Sequence, residues 1–181
     1  MEQPSLINGW HVLALPRFSE RYAALRGEAR RLKDQLSPQE YVGHPAVKLA
    51  GAVHRLITQI VPDNPNAPEF RLRGDLSTFR RAKGHGLPQR YRLFWVFSEG
   101  NKTIIFLYLN DEETLRKEGA RSDPYAVFAR LVARGEIGAD FAANLAAWQR
   151  HAGAGSIEGP TSPADGEASG RSRSRRKPPR R

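Results

Sequence analysis

The sequence predicts an α+β fold: a small antiparallel sheet carrying two N-terminal helices on one face. Two apolar, aromatic and β-branched runs, 91–97 and 103–109, are separated by a short Gly-containing break, which is a hairpin signal. Because these runs are almost continuously apolar, we expect both their faces to be covered and both strands to lie mid-sheet. The 181 residues fit one domain, residues 1–150, and an appendage, residues 151–181.

The N-terminal third predicts one strand followed by two helices. An Asn-Gly turn at 8–9 precedes a strand at 10–15. The apolar face of the first helix is formed by Phe18, Tyr22, Leu25, Ala29, Leu32 and Leu36. Their alternating spacings of four and three are typical of an amphipathic helix. The Ser-Pro pair at 37–38 ends it, and a second helix runs from the His-Pro pair at 44–45 to Pro62.

The rest of residues 1–150 is predicted to form strands and then helices. The elements are a loop at 63–68, a strand start at 70–73, a strand at 80–83, a turn at 84–88, the two central strands, a helical turn at 114–118, a helix opened by Asp123-Pro124, and a last helix with Phe141, Leu145 and Trp148. The order is β-α-α-β-β-β-α with extra C-terminal helices. We expect the second face of the sheet to be left to cations and the C-terminal segment.

Charge and composition point to a polyanionic partner. The formal net charge is +10, and the tail at 151–181 holds seven of the 29 Lys and Arg and three of the 19 Asp and Glu, which leaves +6 for residues 1–150. The tail is poor in apolar residues, so we expect it to be a disordered basic arm. The chain lacks cysteine, a signal-peptide pattern and a membrane-spanning run, so we expect a cytoplasmic protein without membrane contact.

Cations flank the first central strand. Arg81 and Lys83 are two residues apart and so share a face on a strand, as do Arg90 and Arg92. If the turn at 84–88 folds the two strands together, the four cations converge. Arginines on an exposed strand are often merely solvated, but the aromatic and apolar neighbours here favour an anion-binding face.

Such a patch suits RNA cleavage by the 2′-hydroxyl. The protein must remove one proton, supply another and stabilise the charge of the phosphorane. Arginine fits phosphate with a fork of donors, and a lysine crowded by arginines gives up its proton more readily. His85 is a loop residue able to exchange protons near neutrality, or simply a solvated one. Tyr91 and Tyr125 could donate a proton, stack on a base or pack in the core.

Other chemistries have little sequence support. The segment 110–113, Asn-Asp-Glu-Glu, reads as a helix cap rather than a metal site, because no histidine stands at ligand spacing. Motifs for nucleotide hydrolysis, dinucleotide binding, serine hydrolysis and zinc proteolysis are absent from the sequence. We therefore expect no metal and no cofactor.

Five segments, taken in order, resemble the YhaV toxin family of type II toxin–antitoxin systems. They are NGW at 8–10, FRRAK at 79–83, QRYRLFWVF at 89–97, IIFLYLNDEETLRKEG at 104–119 and DPYAVF at 123–128. The resemblance spans residues 8–148 and leaves out the tail. This family is more distantly related to RelE-type mRNA interferases.

The resemblance implies a metal-independent endoribonuclease that cleaves mRNA and inhibits growth. Its implied catalytic set is Arg81, Lys83, Arg92, Arg116 (or Arg121) and Tyr125, of which the residue pattern alone indicates the first three. We expect Arg80, His85, Arg90 and Arg121 to contact RNA. The implied partners are mRNA, the ribosome as a further candidate, and a PrlF-like antitoxin with an AbrB-type DNA-binding domain, through which alone operator DNA would be bound.

Two other functions fit the same fold and stay open at this point. A non-catalytic RNA- or ribosome-binding module would use the same patch and arm. A gyrase-poisoning toxin of the ParE type would share the fold without RNase activity. The set of Arg81, Lys83 and Arg92 argues against gyrase poisoning, because phosphate chemistry needs convergent cations and gyrase binding does not.

Overall fold

The computed structural model describes residues 5–111 and 123–151, which form an α+β domain. Its five strands are β1 (Ser5–Ile7), β2 (Trp10–Ala14), β3 (Arg80–Ala82), β4 (Leu93–Ser98) and β5 (Thr103–Leu109). Its α-helices are α1 (Pro16–Gln35), α2 (Pro38–Gly43), α3 (Pro45–Arg55), α4 (Val61–Asp63), α5 (Pro124–Ala133) and α6 (Phe141–Arg150). A π-helical turn, Leu56–Ile60, joins α3 to α4, so the predicted second helix is one continuous rod with a widened turn. The tail beyond His151 and the helical turn predicted at 114–118 lie outside the described residues.

The sheet is mixed, so the prediction of an antiparallel sheet was wrong. The strand order is β1-β2-β5-β4-β3, and β2 pairs with β5 in parallel, while the other neighbours are antiparallel. The chain leaves β2 through the helices and re-enters the sheet at its far edge as β3. The meander β3-β4-β5 then returns and brings β5 alongside β2 in the same direction. Such a parallel pair requires a long crossover, which the helices supply.

The edge strand β1 was not predicted, although the sequence carries a signal for it. Asn8 and Gly9 both have positive φ, 49° and 78°, and connect β1 to β2. A two-residue turn of this kind favours Asn-Gly and joins antiparallel strands. The sequence indicates the turn but not its first strand, because only three residues form that strand.

The two central strands confirm the prediction that both their faces are covered. Every residue of β5 is buried, and β5 lies between β2 and β4. A β-bulge interrupts the alternation: Phe94 pairs with Tyr108 but Trp95 pairs with Phe106, which leaves Leu107 as the extra residue. Leu107 and Tyr108 therefore both belong to the same apolar cluster.

The first face of the sheet packs against the N-terminal helices. Phe18, Tyr22 and Leu25 of α1 are buried, as the apolar spacing predicts. Leu49 and Val53 of α3 join them over β2, β4 and β5. The Ser-Pro pair does end α1, and in addition Ser37 starts α2 with a capping box to Glu40.

The second face is apolar and is covered by α5 and α6 rather than by cations. Phe128 of α5 is fully buried and stacks on Phe94 of β4, with ring centroids 4.1 Å apart and an interplanar angle of 7°. Phe79 meets the same Phe128 ring edge-on at 5.0 Å. The expectation that cations share this face is thus corrected: α5 and α6 cover it, and the cations approach only at its edge.

We expect Trp95→Ala to lower the free energy of unfolding by about 3–5 kcal/mol, because it empties a large space in the first core. Trp95 is fully buried, its indole N–H donates to the carbonyl of Pro65 at 3.2 Å, and its ring lies 4.9 Å from that of Phe70. Urea denaturation measures the loss. The matched control is Val42→Ala, since Val42 is 64% exposed and should change stability by less than about 0.5 kcal/mol. Equal effects of the two substitutions would contradict this account of the core.

Candidate active site

Two guanidinium groups converge on one tyrosine hydroxyl. The Nε of Arg81 donates to the Tyr125 hydroxyl oxygen at 2.7 Å, and the Nε of Arg92 donates to the same oxygen at 3.2 Å. The Arg92 guanidinium also lies 5.8 Å from the centroid of the Tyr125 ring. All three side chains are half-buried, so they are held by the protein and still reach solvent. We call these three residues the Arg-Tyr-Arg cluster.

The edge strand β3 directs Arg81 toward α5. Arg81 is opposite Phe94, which belongs to the second-face cluster, whereas Arg80 is opposite Trp95 of the first-face cluster. Neighbouring strand residues point to opposite faces, so only Arg81 can reach Tyr125. A second bond, from Arg81 Nη1 to the carbonyl of Glu69 at 2.8 Å, fixes the guanidinium.

The N-terminus of α5 presents Tyr125. Asp123 caps the helix, and its Oδ1 accepts from the backbone N–H of Tyr125 at 2.8 Å. The Tyr125 ring stands edge-on to Phe94 with centroids 5.8 Å apart. Because the Phe128 ring one turn later stacks on the same Phe94, the helix cannot rotate without breaking the second core.

Asn110 holds Arg92, a role that was not predicted from the sequence. Its fully buried side chain accepts from the Arg92 backbone N–H at 2.6 Å through Oδ1 and donates to the Arg90 carbonyl at 3.1 Å through Nδ2. The amide thus adds to the backbone bond from the Asn110 N–H to the Arg92 carbonyl, at 3.4 Å, where β4 has not yet begun. The sequence predicts Asn110 as part of a helix cap, but its side-chain bonds go backward to the cationic segment. One feature of the sequence could have indicated this role: the asparagine comes directly after a fully apolar strand.

The structure places the other predicted cations outside the Arg-Tyr-Arg cluster. Lys83 is exposed one residue after β3, and His85 is exposed in the following turn. Arg90 is exposed with φ of 72°, and β4 begins only at Leu93, so the prediction that Arg90 and Arg92 alternate on a strand was wrong. A positive φ turns the chain here, which breaks the period of two.

The Arg80 side chain lies on the first face of the sheet and is bound there. Its donors reach Asn66 Oδ1 at 3.0 and 3.1 Å and the carbonyls of Ser77 and Phe79 at 2.9 and 2.8 Å. Its guanidinium also lies 5.3 Å from the Phe97 ring centroid. Burial, and secondarily the positive charge of Arg71, lower the pKa of Arg80 below its ordinary value. The RNA contact predicted for Arg80 stays a prediction, but its side chain is already engaged on the other face from Tyr125.

Several further residues complete the comparison with the sequence. Tyr91 is buried in the first core, as its packing alternative anticipates. Arg116 and Arg121 lie outside the described residues. Across residues 5–111 and 123–151, no group of three or more His, Cys, Asp or Glu side chains is arranged to hold a metal ion. None of the helices in this part of the chain is both long enough and apolar enough to cross a bilayer.

The chain is similar to toxins of toxin–antitoxin systems over most of its length. A family model described as a "Toxin with endonuclease activity, of toxin-antitoxin system" matches residues 12–149. The "Ribonuclease toxin YhaV" of Escherichia coli strain K12 is 40% identical over 147 residues, covering 78% of this chain and 93% of that protein. The "Toxin YhaV" proteins of Escherichia coli O157:H7 and of strain CFT073 give the same values. No solved structure matches the chain.

The chain therefore belongs to the YhaV toxin family, which confirms the resemblance seen in its sequence. The match includes Arg81, Arg92, Asn110 and Tyr125, so the Arg-Tyr-Arg cluster and its support lie within the family domain. Membership of a toxin–antitoxin system implies an antitoxin partner.

We expect Asn110→Ala to release the backbone at Arg92, because it leaves the N–H of Arg92 and the carbonyl of Arg90 without their partner. The cost is about 1–3 kcal/mol in the free energy of unfolding. Amide hydrogen exchange at Arg92, followed by NMR, should accelerate. The matched variant Asn110→Asp keeps the acceptor for the Arg92 N–H and should protect that amide better than alanine does. Unchanged exchange at Arg92 in the alanine variant would disprove the bridging role.

Proposed function

We propose that the protein is an endoribonuclease toxin that cleaves mRNA through attack by the 2′-hydroxyl, without a metal ion, and so inhibits translation and growth. The observation that carries the proposal is the joint hold of Arg81 and Arg92 on the Tyr125 hydroxyl. Family membership and the ribonuclease name of its Escherichia coli relative support it. The same observation favours cleavage over simple RNA binding, because a bound hydroxyl between two cations is an arrangement suited to proton transfer at a phosphate.

The two arginines would bind the scissile phosphate. Guanidinium donors fit the non-bridging oxygens and stabilise the extra negative charge of the phosphorane, a term that is often the largest in such catalysis. Both groups are fixed before substrate arrives, Arg81 by the Glu69 carbonyl and Arg92 by the Tyr91 carbonyl at 2.7 Å. Little reorganisation is then required during the reaction.

Tyr125 and Lys83 would move the protons. The Tyr125 oxygen already accepts from two N–H groups, so its own O–H is directed away from both arginines and is placed to donate. We assign it to the leaving 5′-oxygen. Lys83 follows Arg81 by two residues, and in its neutral form would take the proton of the 2′-hydroxyl. The 2′-oxygen then bonds to phosphorus, the 5′-oxygen leaves with the tyrosine proton, and a 2′,3′-cyclic phosphate remains.

The finer assignments of fold and partners belong to the same proposal. A RelE-like topology is supported by the helices between β2 and β3, the meander β3-β4-β5 and the C-terminal helix that brings Tyr125 to the sheet. We propose a PrlF-like antitoxin with an AbrB-type DNA-binding domain, through which operator DNA would be bound. The substrate is mRNA, either free or on the ribosome, in the cytoplasm.

We expect Arg92→Ala to abolish toxicity and to reduce RNA cleavage about 100- to 1000-fold, as loss of one transition-state donor does elsewhere. Growth after induced expression and cleavage by purified protein are the measurements, with thermal unfolding as the check on folding. Arg30→Ala is the matched control, since Arg30 is an exposed cation of α1 and its removal should leave both readouts unchanged. A fully toxic Arg92→Ala variant would overturn the site assignment.

We expect Tyr125→Phe to impair cleavage about 100-fold while leaving the ring packed on Phe94, because only the hydroxyl is removed. An RNA whose 5′-bridging oxygen is replaced by sulfur provides the sharp test. Thiolate leaves without protonation, so the phenylalanine variant should cleave this substrate almost as fast as the unchanged protein. If sulfur restores nothing, Tyr125 does not act as the acid.

We expect removal of residues 152–181 to weaken RNA binding modestly and to flatten its salt dependence. This segment carries seven Lys and Arg against three Asp and Glu. For each cation of the tail that pairs with a phosphate, the truncation should reduce the slope of log K against log salt by about 0.7 for a single strand. Titration of labelled RNA at several salt concentrations measures this. An unchanged slope would show that the tail does not pair with phosphate.

A further inference from the structure

The turn between β3 and β4 holds a histidine in an unusual backbone conformation. The Leu87 N–H donates to the Gly84 carbonyl at 2.9 Å, and the two central residues, His85 and Gly86, have φ of 53° and 89°. Turns with two positive φ values favour Asn, Asp or Gly at both central positions. Histidine adopts such angles more readily than most residues, whereas glycine would adopt them without strain.

Contacts from α3 fix this turn. The Arg55 guanidinium donates to the His85 carbonyl at 2.9 Å. A Cβ on Gly86 would lie 2.8 Å from Nη2 of Arg55 and 3.3 Å from the Cβ of Ala52, so a side chain there would displace the Arg55 guanidinium and crowd the helix. The backbone of His85 is thus held in place by its neighbours.

The His85 ring rests on an aromatic stack. Its centroid is 5.6 Å from that of Phe70, whose ring meets Trp95 edge-on at 4.9 Å. Phe70 and Trp95 are buried, whereas His85 is exposed. The imidazole is therefore an oriented aromatic surface with the core behind it and solvent in front.

This surface and the Arg-Tyr-Arg cluster lie on opposite sides of the same sheet edge, because the His85 ring packs on the first-face cluster and Arg81 faces the second. The turn continues β3 directly: three residues lead from Ala82 to His85, a Cα span of at most about 10 Å from the end of the edge strand that carries Arg81. Exposed Lys83 and Arg90 flank the turn and make its surroundings favourable for phosphate. An RNA strand that crosses this edge would bring a neighbouring nucleotide to His85 when its phosphate meets Arg81 and Arg92.

We propose that His85 is a base-stacking residue that selects the nucleotide next to the cleaved phosphate. This inference rests on the endoribonuclease function proposed above. Unpaired bases in RNA are recognised by stacking on aromatic side chains, histidine included. Because the ring is held before RNA arrives, little freedom is lost on binding. The strained turn is then the means of presenting the ring toward the substrate.

Two variants separate stacking from other roles of the imidazole. His85→Asn suits the positive φ but removes the ring, and His85→Tyr keeps an aromatic surface without the imidazole nitrogens. Cleavage sites are mapped on a long mRNA, and rates are measured at preferred sites. We expect the asparagine variant to lose roughly tenfold at those sites and to lose base preference at one flanking position, while the tyrosine variant keeps that preference. Arg30→Ala should leave the map unchanged.

Two results would overturn the proposal while leaving the proposed function intact. One is a cleavage map of His85→Asn identical to that of the unchanged protein. The other is equal loss in both variants, which would mean that the imidazole acts through its nitrogens. A protein that cleaves no RNA, naked or on translating ribosomes, would instead overturn the proposed function.

If the protein cleaves no RNA, an uncleavable probe still tests whether a base stacks on His85. The probe is a 2′-O-methyl RNA carrying fluorescent 2-aminopurine at successive positions, because stacking on an aromatic ring quenches this base. Quenching at one position by the unchanged protein, abolished in His85→Asn, would support the proposal. Absence of quenching at every position would refute it.

Discussion

The site depends on two positively charged guanidinium groups that both donate to the same tyrosine hydroxyl. Each Nε of Arg81 and Arg92 lies within hydrogen-bond distance of the Tyr125 hydroxyl, so the two charges are separated by only a few ångströms. At about 4 Å, their repulsion amounts to roughly 1 kcal/mol in water and roughly 4 kcal/mol near a protein surface. Among the described residues, the ion pairs of the structure involve neither arginine. An anion that binds both guanidinium groups would relieve this repulsion, and phosphate matches their geometry.

The rest of the fold keeps these charges together. Aromatic stacking of Phe128 on Phe94 secures α5, the Asp123 cap fixes its first turn, and Asn110 secures the backbone of Arg92. Arg81 comes from an edge strand, where its side chain can reach the rim of the second core. Phe94, Phe128 and Asn110 are fully buried while Asp123 and the three functional side chains are half-buried, so the site is firmly supported and still open to substrate.

Local patterns predicted the local structure. The spacing from Phe18 to Leu36 defined α1, and the two apolar runs predicted the central strands. The period of two on β3 identified Arg81 as a candidate, whereas Tyr125 was singled out mainly through the family resemblance. Its chemical partners could not be derived from spacing, because 44 residues separate it from Arg81.

The predictions that were wrong concerned non-local contacts or residues with two possible roles. The direction of β2 relative to β5 depends on where the chain re-enters the sheet, and apolar periodicity does not encode that. Alternation placed Arg81 and Lys83 on one face of a strand, but β3 ends at Ala82 and Lys83 lies outside the Arg-Tyr-Arg cluster. Asn110 could cap a helix or bridge a backbone, since the same amide suits both, and only its full burial distinguishes the two roles.

The most direct measurement is the chemistry of the cut ends. The purified protein is incubated with a labelled mRNA, as naked RNA in EDTA and on translating ribosomes in the Mg²⁺ that ribosomes require, and the fragment termini are identified. The account predicts cleavage with 2′,3′-cyclic phosphate and 5′-hydroxyl ends, in at least one of the two settings. Cleavage of naked RNA that EDTA abolishes, fragments ending in a 3′-hydroxyl, or no cleavage in either setting would contradict it.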